Sequence, residues 1–169
     1  GGETYMGETS LPPQGFSHMP ETGGFDRLIG DLYEKFDGEN WTYCFLTTQK
    51  IQSSSGNVHG GFLMMAVDHL ISLDILRRKD RPYHIATAQL ESHFIDRTPV
   101  GIWVFGKPRI LRRTRHLLFT DCEFSSENGL LFRATGIWKI VAADSRVARE
   151  TAKLMSEGTW PAEKDPADQ

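Results

Sequence analysis

A single carboxylate, Asp68, stands inside an apolar run that extends from Phe62 to Leu73. Burying an ionised group in such a run is costly unless the group is paired, neutralised or used. Directly ahead lies His59-Gly60-Gly61, a turn whose glycines let backbone come close to something else. From Phe62 onward the residues lack Gly and Pro and are mostly good helix formers, so a helix is predicted to start here. A helix start carries unbonded N–H groups and partial positive charge, which suit a carbonyl oxygen turning into an oxyanion. Hydrolysis also needs a base for water, and Asp68 is the only carboxylate between Gly60 and Leu73. Met64, Met65, Ile71 and Ser72 lie one turn from it. Partial desolvation by them would raise its pKa toward that of a working base. His59 reads as a residue that fixes the turn by hydrogen bonding, and Asp74 as a surface or capping group.

The elements that must position these residues follow from periodicity. A helix hydrophobic nearly all round is buried on most sides, and this one is expected to run to about Arg78, where basic residues complement its dipole. Apolar residues at 25, 28, 29, 32, 33 and 36 predict an amphipathic helix over 25–36. Trp41 to Ile51 is rich in aromatic and β-branched residues and reads as a strand, with a loop at Ser53 to Asn57. Strands are predicted at about 84–96, 100–112, 115–126 and 130–141, with Ser126-Glu127-Asn128-Gly129 as a hairpin turn. Pro108 within the second of these calls for an edge position or a bulge. Small residues at Ala134 and Gly136 suggest close approach of the central helix. The whole is an α+β arrangement, an antiparallel β-sheet wrapped around a long central α-helix.

Composition agrees. A length of 169 residues suits one domain: a Gly, Ser and Pro-rich flexible arm at 1–23, a single domain at 24–142 with its core at 41–141, and a C-terminal helix and polar tail at 143–169. Hydrophobic content of 39% and charged content of 24% describe an ordinary soluble protein. A formal charge of -3 argues against nucleic-acid or anionic-membrane attraction. No apolar run approaches the roughly 20 residues that span a bilayer, and no signal peptide is readable. Cys44 and Cys122 are expected as two buried thiols in a reducing cytoplasm. The six His show no ligand spacing, so no metal is expected.

His59-Gly60-Gly61 with Asp68 nine residues after the His resembles the PaaI-like branch of the hotdog-fold acyl-CoA thioesterases. The stretch Thr87 to Gly101, with its Thr98-Pro99-Val100-Gly101 ending, and Asn128-Gly129 with Ala134-Thr135-Gly136 are similar to that family's later strands. The resemblance implies a homodimer or dimer of dimers that hydrolyses acyl-CoA, with CoA as part of the substrate and no separate cofactor. It implies Gly60 N–H as donor to the thioester carbonyl, Asp68 as general base or nucleophile, and Thr87 as the hydroxyl that orients the water. Relatives carry an Asn six residues before the His, where this chain has Ser53; Asn57 is the nearby alternative. Gly61, Met64 and Met65 are candidates for lining the acyl site.

Lys107 to His116 holds five Lys or Arg residues. Of these, Arg109, Arg112, Arg113 and Arg115 are candidates for the phosphates of CoA, since guanidinium groups bind phosphate in bidentate fashion. Gly60 and Asp68 are eight residues apart, about 12 Å along a helix, so one chain's Gly60 and Asp68 can hardly touch the same thioester. The site is therefore expected to pair Gly60 of one subunit with Asp68 and Thr87 of another. A non-catalytic acyl-CoA-binding module is the rival reading, kept open by Ser53. A hotdog dehydratase or hydratase is the rival among enzymes, but the His paired with an acid that those enzymes use is not found here.

Overall fold

A computed structural model describes residues 11–20, 29–78 and 84–141, together with 145, 146, 149 and 153. Seven strands, β1 (Ser17–His18), β2 (Leu32–Phe36), β3 (Trp41–Leu46), β4 (His84–Phe94), β5 (Trp103–Arg113), β6 (Leu117–Ser126) and β7 (Gly129–Val141), form one sheet. Its order is β1-β2-β3-β5-β6-β7-β4, and every neighbouring pair is antiparallel. The single long helix, α1 (Gly60–Leu76), packs on one face. It buries Phe62, Leu63, Ala66, Val67, Leu70, Ile71, Leu73 and Ile75, which meet Phe45, Val104, Leu118, Phe124, Phe132 and Trp138 from the sheet in one apolar core. Alternation on the strands supplies that face: Leu118, Thr120, Cys122 and Phe124 of β6 all point inward. This is the hotdog arrangement expected from the sequence.

The predicted helix over 25–36 is corrected where it can be followed. Residues 25–28 lie outside the described residues, Gly30 has φ 82, and Leu32–Phe36 is a strand paired with β3. The left-handed turn at Gly30 ends any helix there. Leu32 and Glu34 then point inward on a two-residue period. Glu34 is buried because Arg77, just past the end of α1, forms an ion pair with it, stacking also on Trp41 at 4.5 Å. Asp74, expected at the surface, is buried and bonded by Arg78 at 2.8 Å. Burial raises its pKa, and Arg78 pulls the other way.

Three smaller corrections concern the sheet. β3 stops at Leu46, because Thr47 Oγ1 turns to donate to Pro99 O (2.9 Å) and a short 3-10 helix follows at Gln49–Ile51. Pro108 sits in the central strand β5, but the ladder to β3 ends at Gly106, and β5 bulges between Ile110 and Arg112. Gly136 leaves room for Trp138 and Thr120 rather than for the helix. A Cβ there would lie 2.9 Å from Trp138 Nε1 and 3.0 Å from Thr120 Oγ1. The helix makes its close approach at Gly106, where a Cβ would lie 2.7 Å from Leu70 Cδ1. Cys44 and Cys122 are both free and buried, as expected. The C-terminal helix proposed at 145–157 falls mostly outside the described residues.

Candidate functional site

The start of α1 is arranged so that one N–H group is left over. His59 N donates to Ile51 O at 2.8 Å, and Phe62 N donates to His59 O at 2.9 Å. Between them, Gly61 N donates to the His59 ring at Nδ1, 2.9 Å. His59 is thus the helix N-cap, and an accepting Nδ1 places the ring proton on Nε2. Glycine suits this position, since a Cβ would sit 3.1 Å from that same Nδ1 and push the ring aside. Gly60 N–H has no acceptor among the described residues. At Gly60 a Cβ would come 2.9 Å from Phe94 Cε1, the ring end of an exposed side chain that would have to move aside; Phe94 is a neighbour the sequence reading did not single out.

Asp68 lies two turns further on, half-buried. Thr87 Oγ1, from β4, donates to Asp68 Oδ1 at 2.9 Å. That bond fixes the orientation of the carboxylate toward the outer end of the sheet. Met64, on the same stripe of the helix as Gly60 and Asp68, is exposed. Gly60 therefore stands beside Phe94 at one end of β4, and Asp68 is tied to Thr87 near the other. Within one chain the oxyanion donor and the carboxylate are held apart.

The sheet register locates the remaining candidates. Thr87 pairs with Trp138, Trp138 with Leu118, and Leu118 with Arg113. Arg113 consequently shares the helix-side face and level of Thr87, three strand spacings away, about 14 Å. Arg112, Arg113 and Arg115 are exposed. Arg109 is not available in the way expected. Its guanidinium is paired with the buried Asp121 and reaches Glu123 at 3.6 Å, while Arg133 Nε holds Asp121 Oδ1 at 2.9 Å. Burial pushes the Asp121 carboxyl up, and the bonds from Arg133 and Arg109 outweigh it and hold it below its ordinary value.

Ser53 and Asn57 close their own loop. Ser53 Oγ donates to Asn57 O at 3.1 Å and lies 2.8 Å from Ser55 Oγ, and Asn57 Nδ2 reaches Ser55 O at 3.5 Å. Beside the helix start, Gly61 and Met65 line a cavity of about 750 Å³ together with His59. Its outer wall comes from Ile29 to Asp31, a segment without any motif to mark it. Among the described residues no group of three His, Cys, Asp or Glu side chains could hold a metal, and no helix is long and apolar enough to cross a membrane.

Comparison with known proteins places this geometry. Residues 55–132 match the model of the Thioesterase superfamily. The crystal structure of zebrafish thioesterase superfamily member 2 superposes with a TM-score of 0.65 at 15% identity, covering 72% of this chain and 89% of that one. A hypothetical thioesterase from Streptococcus pneumoniae TIGR4, solved with coenzyme A, gives 0.61 at 14% identity, covering 68% and 91%. A putative thioesterase from Ralstonia eutropha JMP134, described as phenylacetic acid degradation-related, gives 0.55 at 21% identity, covering 60% and 76%. A comparison with curated proteins finds none that matches.

Proposed function

We propose that this member of the thioesterase superfamily hydrolyses acyl-CoA thioesters, by water attack assisted by Asp68 at a site shared between two copies of the chain. The observation that carries the reading is the start of α1, where neighbouring N–H groups are satisfied and Gly60 N–H is left to receive an oxygen. Asp68 takes a proton from water as the water oxygen attacks the thioester carbon. The resulting oxyanion is held by Gly60 N–H and by the positive end of the helix. Collapse of this intermediate breaks the C–S bond, and the proton held on Asp68 passes to the CoA thiolate. The Thr87 hydroxyl keeps the carboxylate aimed. Attack by Asp68 itself, through an acyl-anhydride, uses the same atoms. Single turnover in heavy-oxygen water separates the two routes, because only the anhydride route labels Asp68.

The edge of the sheet supports sharing between copies. β4 is a terminal strand, and its end exposes Phe94 (55%) and Ile95 (50%). Unpaired edges of this kind are ready to receive another strand. Laid antiparallel on a second copy about Glu91, with the bulge between Thr87 and Gln89 in each copy taken into account, β4 sets Thr87 of one chain opposite Phe94 of the other. Thr87 carries Asp68 with it and Phe94 stands beside Gly60, so each copy supplies half of two sites. The coenzyme A bound to the pneumococcal relative supports a CoA-containing substrate, with Arg112, Arg113 and Arg115 as the exposed cations for its phosphates.

The direct test is thiol release from a panel of acyl-CoA compounds, wild type beside Asp68→Asn. Turnover that is lost in the variant supports hydrolysis. Binding without turnover in the wild type favours the acyl-CoA-binding module, a reading that the engagement of Ser53 and Asn57 within their own loop keeps in play.

A further inference from the structure

The cavity beside the helix start has the build of a ligand compartment. Its floor is formed by Ile29, Leu46, Ile51, Phe62 and Met65, all apolar, of which Ile29, Ile51 and Phe62 are buried. Asp31, Thr48, Lys50, Gln52 and His59, all exposed, are its polar residues. Small-molecule sites have this form, an apolar interior with a few polar groups, at about 300–1,000 Å³. The cavity also adjoins the oxyanion donor: His59 and Gly61, on either side of Gly60, both line it.

Resting on the thioesterase reading, we propose that this cavity receives the acyl part of the substrate, and that the acyl group is a long unbranched aliphatic chain. Size argues for a chain. At about 30 Å³ for each water-sized group, sixteen carbons occupy about 480 Å³ and reach more of the apolar lining than ten heavy atoms at about 300 Å³. Ile29 is delivered to the wall by the left-handed turn at Gly30, φ 82.

The test is a series of saturated acyl-CoA compounds from acetyl to palmitoyl, with phenylacetyl-CoA alongside. Their non-hydrolysable thioether counterparts are titrated in parallel by calorimetry. Each methylene that enters the cavity should improve kcat/KM and thioether affinity about fourfold until the compartment is full. Ile29→Phe and Met65→Phe, on different elements, should each lower the palmitoyl-to-butyryl ratio at least tenfold. A flat dependence on chain length in the wild type, a preference for phenylacetyl, or ratios within twofold of wild type in both variants would overturn the assignment. If nothing is hydrolysed while thioether affinity still climbs with chain length and falls in the variants, the hydrolase reading fails and the acyl compartment stands.

Discussion

In the proposed reaction Gly60 and Asp68 carry different halves of the chemistry, and substitutions at them should part accordingly. Asp68→Asn keeps the shape of the side chain and removes the base, so kcat should fall about a thousandfold with KM little changed, as expected for loss of a general base. Thr87→Val removes the bond to Oδ1 and leaves the carboxylate in place, with an expected loss of about tenfold in kcat. Steady-state kinetics on one acyl-CoA checks both. Away from the site, Asp121 is held by Arg109 and Arg133. Its folded pKa is depressed, so its stabilisation is present above the ordinary carboxylate value of about 3.9 and disappears as pH falls through the lower folded value. Asp121→Asn should therefore cost about 1–3 kcal/mol at neutral pH and progressively less as the solution is acidified below that range, read by denaturant unfolding across pH.

At the level of elements, α1 was legible from its long run of helix formers without Gly or Pro, and the four long strands and the hairpin at Ser126 to Gly129 from their alternation and turn residues. The segment Leu32–Phe36 was not. Leu32, Tyr33 and Phe36 satisfy a helical spacing, while the strand buries Leu32 and Glu34, and nothing local announces that a glutamate will point inward. Its partner Arg77 lies far along the chain. The same reason hid Asp121 as the partner of Arg109: a cluster of basic residues reads as solvated until the sheet register brings a carboxylate opposite it. Within the site, the Asp68–Thr87 hydrogen bond and the His59 cap join residues that sequence reading had singled out, whereas Phe94 and the Ile29 wall depend on tertiary approach alone. The Glu34–Arg77 pair ties β2 to the end of α1. Arg77→Ala strands a buried carboxylate and removes the stack on Trp41, so it should destabilise the protein by about 3–5 kcal/mol, with a lowered midpoint in urea as the readout.

For the whole molecule, the proposed pairing of two copies at the β4 edge would turn two incomplete halves into two sites. A chain held monomeric by a charge or proline on that edge should fold and yet lack turnover. The most direct measurement of the shared site mixes two inactive chains, Asp68→Asn, which keeps its Gly60 N–H, and Gly60→Pro, which keeps its Asp68. Proline is tolerated at the first helical position but lacks the N–H. Unfolded together and refolded in equal amounts, half the dimers should combine one of each and hold a single intact site, restoring about a quarter of the wild-type thiol-release rate. A rate no higher than that of either parent, with mixed dimers shown to be present, would contradict the shared site.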